Sequence, residues 1–178
     1  MAEDYTMKQN PWVYHPIRTY FHGTKRDPRQ PGDLDAHAPY LSPISILKSN
    51  GPIRVIAYDP GSGGTNGNQI AVAWDHGDDK IRAHFLHNAN VYPEYLRPLI
   101  ENGNTVLVEP GKPLFCIGRT GRMSGVPGIE HVHAIFFVNG KRFRPSPNGN
   151  MKAFPQTDVP DWLRESVGIH QKELGIGW

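Results

Sequence analysis

Asn139-Gly140, set between Ile129–Val138 and Lys141–Arg144, constrains this chain more than any other feature. Asn-Gly supplies the two positive-φ residues of a type I′ turn, the tightest way to fold a strand back on its neighbour. The preceding segment is mostly β-branched and aromatic, so it reads as a strand and Lys141–Arg144 as its partner. Within the first strand lies His131-Val132-His133. Residues two apart in a strand share a face, so the two imidazoles sit side by side. Gly118, Gly121 and Gly125 punctuate the loop leading in. The pair reads either as a metal or acid–base site on a rigid hairpin, or as two half-exposed histidines on a sheet face.

Other segments point the same way. Ile53–Asp59 reads as a strand. Asn68–Trp74 and Lys80–Leu86 read as a hairpin turning at Asp75–Asp79, with His84 inside it and His87 just beyond. Val106–Gly118 gives two short strands around Pro110-Gly111, and Asp33–His37 gives another, on which Asp35 and His37 share a face. The glycine-rich run 61–67 lacks the Lys-Ser/Thr and following helix of a phosphate cradle, so it reads as a β–β connection. Glu94–Ile100 is expected to hold a helical turn. Pro160–Leu174 is expected to form a short helix capped by Asp158 or Asp161 and docked by Trp162, Val167 and Ile169. The 19 glycines and 17 prolines suit a turn-rich β protein. The expected organisation is an N-terminal arm over 1–20, one mainly antiparallel β domain over 21–145, and a loop-and-helix extension over 146–178.

The formal charge of +2, from 19 basic and 17 acidic residues, gives no basic stripe for nucleic acid. Arg119, Arg122, Lys141, Arg142 and Arg144 read as a solvated hairpin tip. The lone Cys116 excludes an internal disulfide, and its apolar surroundings suggest a buried, inert thiol. Neither a signal peptide nor a membrane span is expected, so the chain is cytoplasmic when made.

Val108-x-x-Gly111, then Leu114, Gly118-x-Thr120-Gly121, and His131-Val132-His133 closing on Asn139-Gly140-Lys141 and Pro145, resemble the lysostaphin-like zinc metallopeptidases, which cut peptide cross-links in bacterial peptidoglycan. The resemblance spans roughly residues 21–145. Asn68-Gln69-Ile70-Ala71-Val72 resembles the family's Gly-Asn-x-Val-x-Ile strand. Ala83-His84-Phe85 resembles its Tyr-x-His-Leu. Gly23 through Pro28, with Gly32-Asp33-Leu34-Asp35 and Ala38-Pro39, resembles its N-terminal motif. The resemblance implies a duplicated hybrid-motif β fold with a groove in which Asp35, His84, His131 and His133 converge. Asp35 and His133 would be zinc ligands, and His84 and His131 the acid–base and oxyanion-stabilising histidines.

Two positions depart from the family. Pro31 stands where the family has its first zinc-ligating His, and Ile135-Phe136 replace the residues after His-Leu-His that usually include a Glu. Either His37 or His22 substitutes as a ligand, giving an active zinc endopeptidase, or the site is degenerate. A degenerate site leaves a fold that binds peptidoglycan peptide, or serves as a structural protein contacting other virion or assembly proteins. Lack of an export signal would fit delivery by a phage particle. Nucleic acid and membrane are not expected partners.

Overall fold

The computed structural model describes residues 14–15, 19–21, 34–37, 40–61, 64–121, 130–143 and 160–170. The chain starts with β1 (Tyr14–His15), β2 (Thr19–Phe21), β3 (Leu34–His37) and β4 (Pro43–Ile46). The long strands β5 (Ile53–Asp59), β6 (Asn68–His76) and β7 (Asp79–Asn88) follow. A 3-10 turn at Glu94–Leu96 runs into α1 (Arg97–Asn102), then come β8 (Val106–Val108) and β9 (Pro113–Cys116). The organising hairpin is β10 (His131–Val138) with β11 (Lys141–Arg142). The last elements are α2 (Asp161–Arg164) and β12 (Val167–His170).

These strands form two antiparallel sheets, so the protein is mainly β, as expected. The larger has the order β2-β3-β10-β7-β6-β5-β8, and the smaller β1-β12-β4-β9. Asn139 and Gly140 take φ of 50° and 78°, the signs a type I′ turn requires. One edge of β10 is shared: β3 pairs along His131–Ala134 and β11 along Phe137–Val138. The other edge pairs with β7 from His133 to Val138.

Alternation assigns the faces. Val132, Ala134 and Phe136 of β10 and Ile81, Ala83 and Phe85 of β7 enter the core. The smaller sheet contributes Ile44, Ile46, Leu114 and Phe115 to the same core. The Phe85 ring lies 4.8 Å from Phe115 and 6.1 Å from Phe136, joining the two sheets through aromatic contacts. His131, His133, Ile135 and Phe137 occupy the opposite, outer face of β10.

The expected helix over Pro160–Leu174 is corrected. Only Asp161–Arg164 is helical, and Val167–His170 is a strand pairing with both β4 and β1; residues 171–174 lie outside the described residues. Two β-branched residues around Gly168 favour extended backbone, and the ladder with β4 satisfies backbone groups a longer helix would leave unpaired. The N-cap residue of α2 is Pro160, with no side-chain bond, and Asp161 is the first helical residue rather than the cap; Asp158 lies outside the described residues. Trp162 and Val167 are buried as expected, the Trp162 ring packing on Phe136 and Phe143. The strands flanking Pro110-Gly111 form, but in different sheets, β8 on β5 and β9 on β4. Cys116 is buried.

Candidate functional site

The site starts from a register. On β3, Asp35 pairs with His133 and His37 with His131. Directly opposed residues of an antiparallel pair are neighbours on one face. Positions 35, 37, 131 and 133 therefore form a block of two by two on the outer face. His131 and His133 are only 8% and 6% exposed, so both rings are packed closely among neighbouring groups.

A third histidine enters from β7. The Phe85 ring points into the core, so alternation would send His87 there too. The ladder breaks first. Ile70 pairs with Phe85 but Asn68 pairs with Asn88, so β7 carries one residue more than β6 between those points. This bulge holds His87 at φ 64°, where a non-glycine residue is uncommon but histidine is enriched. The imidazole is thereby aimed to the outer face. Its centroid lies 5.3 Å from His131 and 6.3 Å from His133, edge-on to both.

Close packing of two loops holds this conformation. The His87 N–H donates to the Asn66 carbonyl at 3.0 Å. Thr120 Oγ1 donates to the Asn88 carbonyl at 2.8 Å and accepts from the Asn68 N–H at 2.9 Å. Asn68 Nδ2 also donates to the Asn88 carbonyl, at 3.1 Å. His87 Nδ1 lies 3.0 Å from the Thr120 carbonyl. A carbonyl only accepts, so Nδ1 carries the proton, and in the neutral ring Nε2 keeps the lone pair. That is the tautomer a base, a hydrogen-bond acceptor or a metal ligand requires.

His84, which the resemblance placed among the acid–base histidines, lies on the same outer face, two residues along the ladder from His133. It pairs in register with Ile135, accepts a hydrogen bond on Nε2 from Arg82 Nε at 3.2 Å, and lies 5.9 Å from the Phe137 ring. Burial, and secondarily the Arg82 guanidinium, hold its pKa below the usual histidine value. His87, not among the residues the resemblance singled out, is brought against His131 and His133. The signal lay in the sequence, since Phe85-Leu86-His87 repeats the aromatic-x-His part of the Tyr-x-His-Leu pattern.

The depressed His84 pKa has a signed consequence. Between the folded pKa and about 6.5, the unfolded chain binds more protons than the folded one. This contribution to stability is full above about pH 6.5 and is lost as pH falls towards the folded pKa. His84→Gln should therefore flatten the loss of stability between neutral pH and pH 5 in urea unfolding. Superimposable pH slopes for wild type and variant would refute the assignment.

Arg119 and Glu130 border the cluster. Arg119 Nε donates to Glu130 Oε1 at 2.6 Å, and its guanidinium lies 4.6 Å from the Tyr40 ring centroid. Their neighbours in sequence are Thr120, which holds His87, and His131. The ion pair thus ties the loop after β9 to the start of β10, and a stacked, paired arginine is better ordered than an exposed one.

A catalytic zinc centre takes three protein ligands and leaves one position open. Positions 35 and 133, which the resemblance assigns to ligands, are directly opposed in the ladder. Position 31 is a proline without a donor side chain and, like His22, lies outside the described residues. Among the described residues, no group of three or more His, Cys, Asp or Glu is arranged to hold a metal. The resemblance itself assigns two ligands, Asp35 and His133, where a catalytic zinc site takes three.

No protein-family model matches the chain, and no curated protein matches it. Among the described residues, no helix is long and apolar enough to cross a membrane.

Proposed function

We propose that this chain is a lysostaphin-like, peptidase-fold protein that engages the peptide of bacterial cell-wall peptidoglycan, with its zinc site reduced to the Asp35–His133 half. The observation that carries the reading is the β3–β10 register, which brings residues 98 positions apart in sequence into direct opposition at the two positions the resemblance assigns to metal ligands. The His87–His131–His133 cluster supports it, because it sets a ring with a defined tautomer beside His133. In this reading the imidazoles hydrogen-bond a peptide amide, and a metal held by two protein ligands binds weakly.

The pairing of His37 with His131 favours a second reading. His37 would replace the missing ligand and make the protein an active zinc endopeptidase. Its Cα would stand about 6.5–7 Å from that of Asp35, so both side chains would have to lean to one ion.

Metal content and peptidoglycan binding separate the two. We expect purified protein to sediment with intact sacculi, hold well under one equivalent of zinc after dialysis, and release little soluble peptide. His133→Ala should remove the residual zinc. One tightly held equivalent of zinc, lost in His37→Ala together with cross-link cleavage, would establish the active peptidase. Failure to bind sacculi would refute the cell-wall reading itself.

A further inference from the structure

We propose that the outer face of the larger sheet carries an anion subsite, centred on Arg82 and flanked by Arg142 and Arg54, that holds a carboxylate of an acidic peptide. The identity of that peptide rests on the function proposed above.

The subsite follows from the strand registers. Phe137 of β10 is opposed by Arg142 of β11 on one side and by Arg82 of β7 on the other. Arg82 is opposed by Ala73 of β6, and Ala73 by Arg54 of β5. Directly opposed side chains share a face, so one line across the sheet reads Arg142, Phe137, Arg82, Ala73, Arg54. Strands lie about 4.8 Å apart, so successive arginines on alternate strands are spaced by roughly 10 Å. Ala73 leaves the floor low beside Arg82, and Phe137 walls its other side.

Arg82 is the working residue. Its side chain is exposed, and its Nε donates to His84 Nε2. That bond requires Nε2 of His84 to be unprotonated, consistent with a ring held below its usual pKa by burial. His84, itself against Phe137, is thus a positioning residue for the guanidinium. The two terminal nitrogens face no carboxylate among the described residues, and such a fork suits bidentate capture of one. Arg54 differs, since Asp75 lies 3.2 Å from it. An acid on the same face opposes a continuous polyanion but tolerates a single carboxylate, which favours an acidic peptide over a phosphate polymer.

Distance gives the ligand's length. Phe137 lies four residues along β10 from His133, or about 13 Å. An extended peptide covers that in roughly four residues. A peptide with its carboxylate on Arg82 therefore reaches the histidine cluster with an amide about four residues away.

The test uses the full chain and a fluorescent four-residue peptide of alanine, γ-linked glutamate, lysine and alanine. It is compared with the same peptide whose carboxylates are converted to carboxamides. The acid form should bind about 10-fold tighter at low salt, as charge-assisted hydrogen bonds predict. Arg82→Ala should abolish the difference and Arg82→Lys keep part of it, with unchanged circular dichroism because the side chain is exposed. Equal binding of acid and amide forms, or discrimination that survives Arg82→Ala, would overturn the subsite. So would stronger competition by single-stranded DNA of matched charge than by the acid peptide. Sacculus binding is measured in parallel. Acid-selective binding through Arg82 without retention on sacculi would refute the cell-wall reading and leave the subsite standing.

Discussion

Alanine at Gly67 is expected to destabilise the protein by about 2–5 kcal/mol, combining the cost of a left-handed non-glycine residue with overpacking against backbone. Gly67 has φ 62°, and a Cβ there would lie 2.3 Å from Thr120 Oγ1 and 2.4 Å from the Thr120 carbonyl carbon. Neither loop can yield freely, because Thr120 bonds Asn68 and Asn88 and receives the His87 proton. Gly77 is the control. Its φ is 58°, yet a Cβ there meets nothing within 4 Å, so alanine should cost only about 1–2 kcal/mol there. Urea unfolding of both variants measures the difference. Equal losses would mean that the contact between the two loops contributes nothing. A larger loss at Gly67 should come with disturbance of the His87 ring, visible as altered imidazole resonances.

Histidine at position 31 should raise zinc affinity by roughly 100-fold. Structural zinc sites are worth about 10–16 kcal/mol over four ligands, or about 3 kcal/mol for each. That figure corresponds to about two decades in Kd. Position 31 is where the resemblance expects the missing imidazole, four residues before Asp35. Calorimetric zinc titration of Pro31→His, alone and combined with His133→Ala, reads the effect directly. The gain should vanish in the double variant, because the new imidazole then has only Asp35 to work with. Unchanged affinity in Pro31→His would mean that Asp35 and His133 do not hold a common ion.

The parts of this fold legible in the sequence are those where local chemistry and tertiary pairing agree. Asn139-Gly140 dictated its turn, and the alternation of Val132, Ala134 and Phe136 with His131, His133 and Ile135 assigned the two faces of β10. The strand Ile53–Asp59 is observed with the expected limits. β4 had no such signature. Its four residues, Pro43 to Ile46, are all buried, so burial left no alternation to read, and a register shift interrupts its pairing with β9. β12 was hidden differently. Val167–His170 is too short for periodicity to choose between helix and strand, and its pairing with β1 and β4 decided. At the site, His131 and His133 were legible from spacing, whereas Phe85-Leu86-His87 carried a local pattern but no sign of the face that His87 takes. An alternating strand puts it on the wrong side, and only the extra residue in β7 reverses that.

The smaller sheet also sets an order of events in synthesis. β12 lies between β1 and β4, with Tyr14 opposite His170 and Val167 opposite Ile46. β4 and β9 can meet early, but the β1 edge stays unpaired until the chain has been made through His170. Contacts of such sequence separation carry a large loop-closure entropy, so this sheet should close late and slowly. Until then one edge of β4 presents open backbone donors and acceptors to any other extended segment. A nascent chain stalled before Val167 should therefore be aggregation-prone even with its histidine cluster already assembled, and pulse-labelled amide exchange should find β12 protected last.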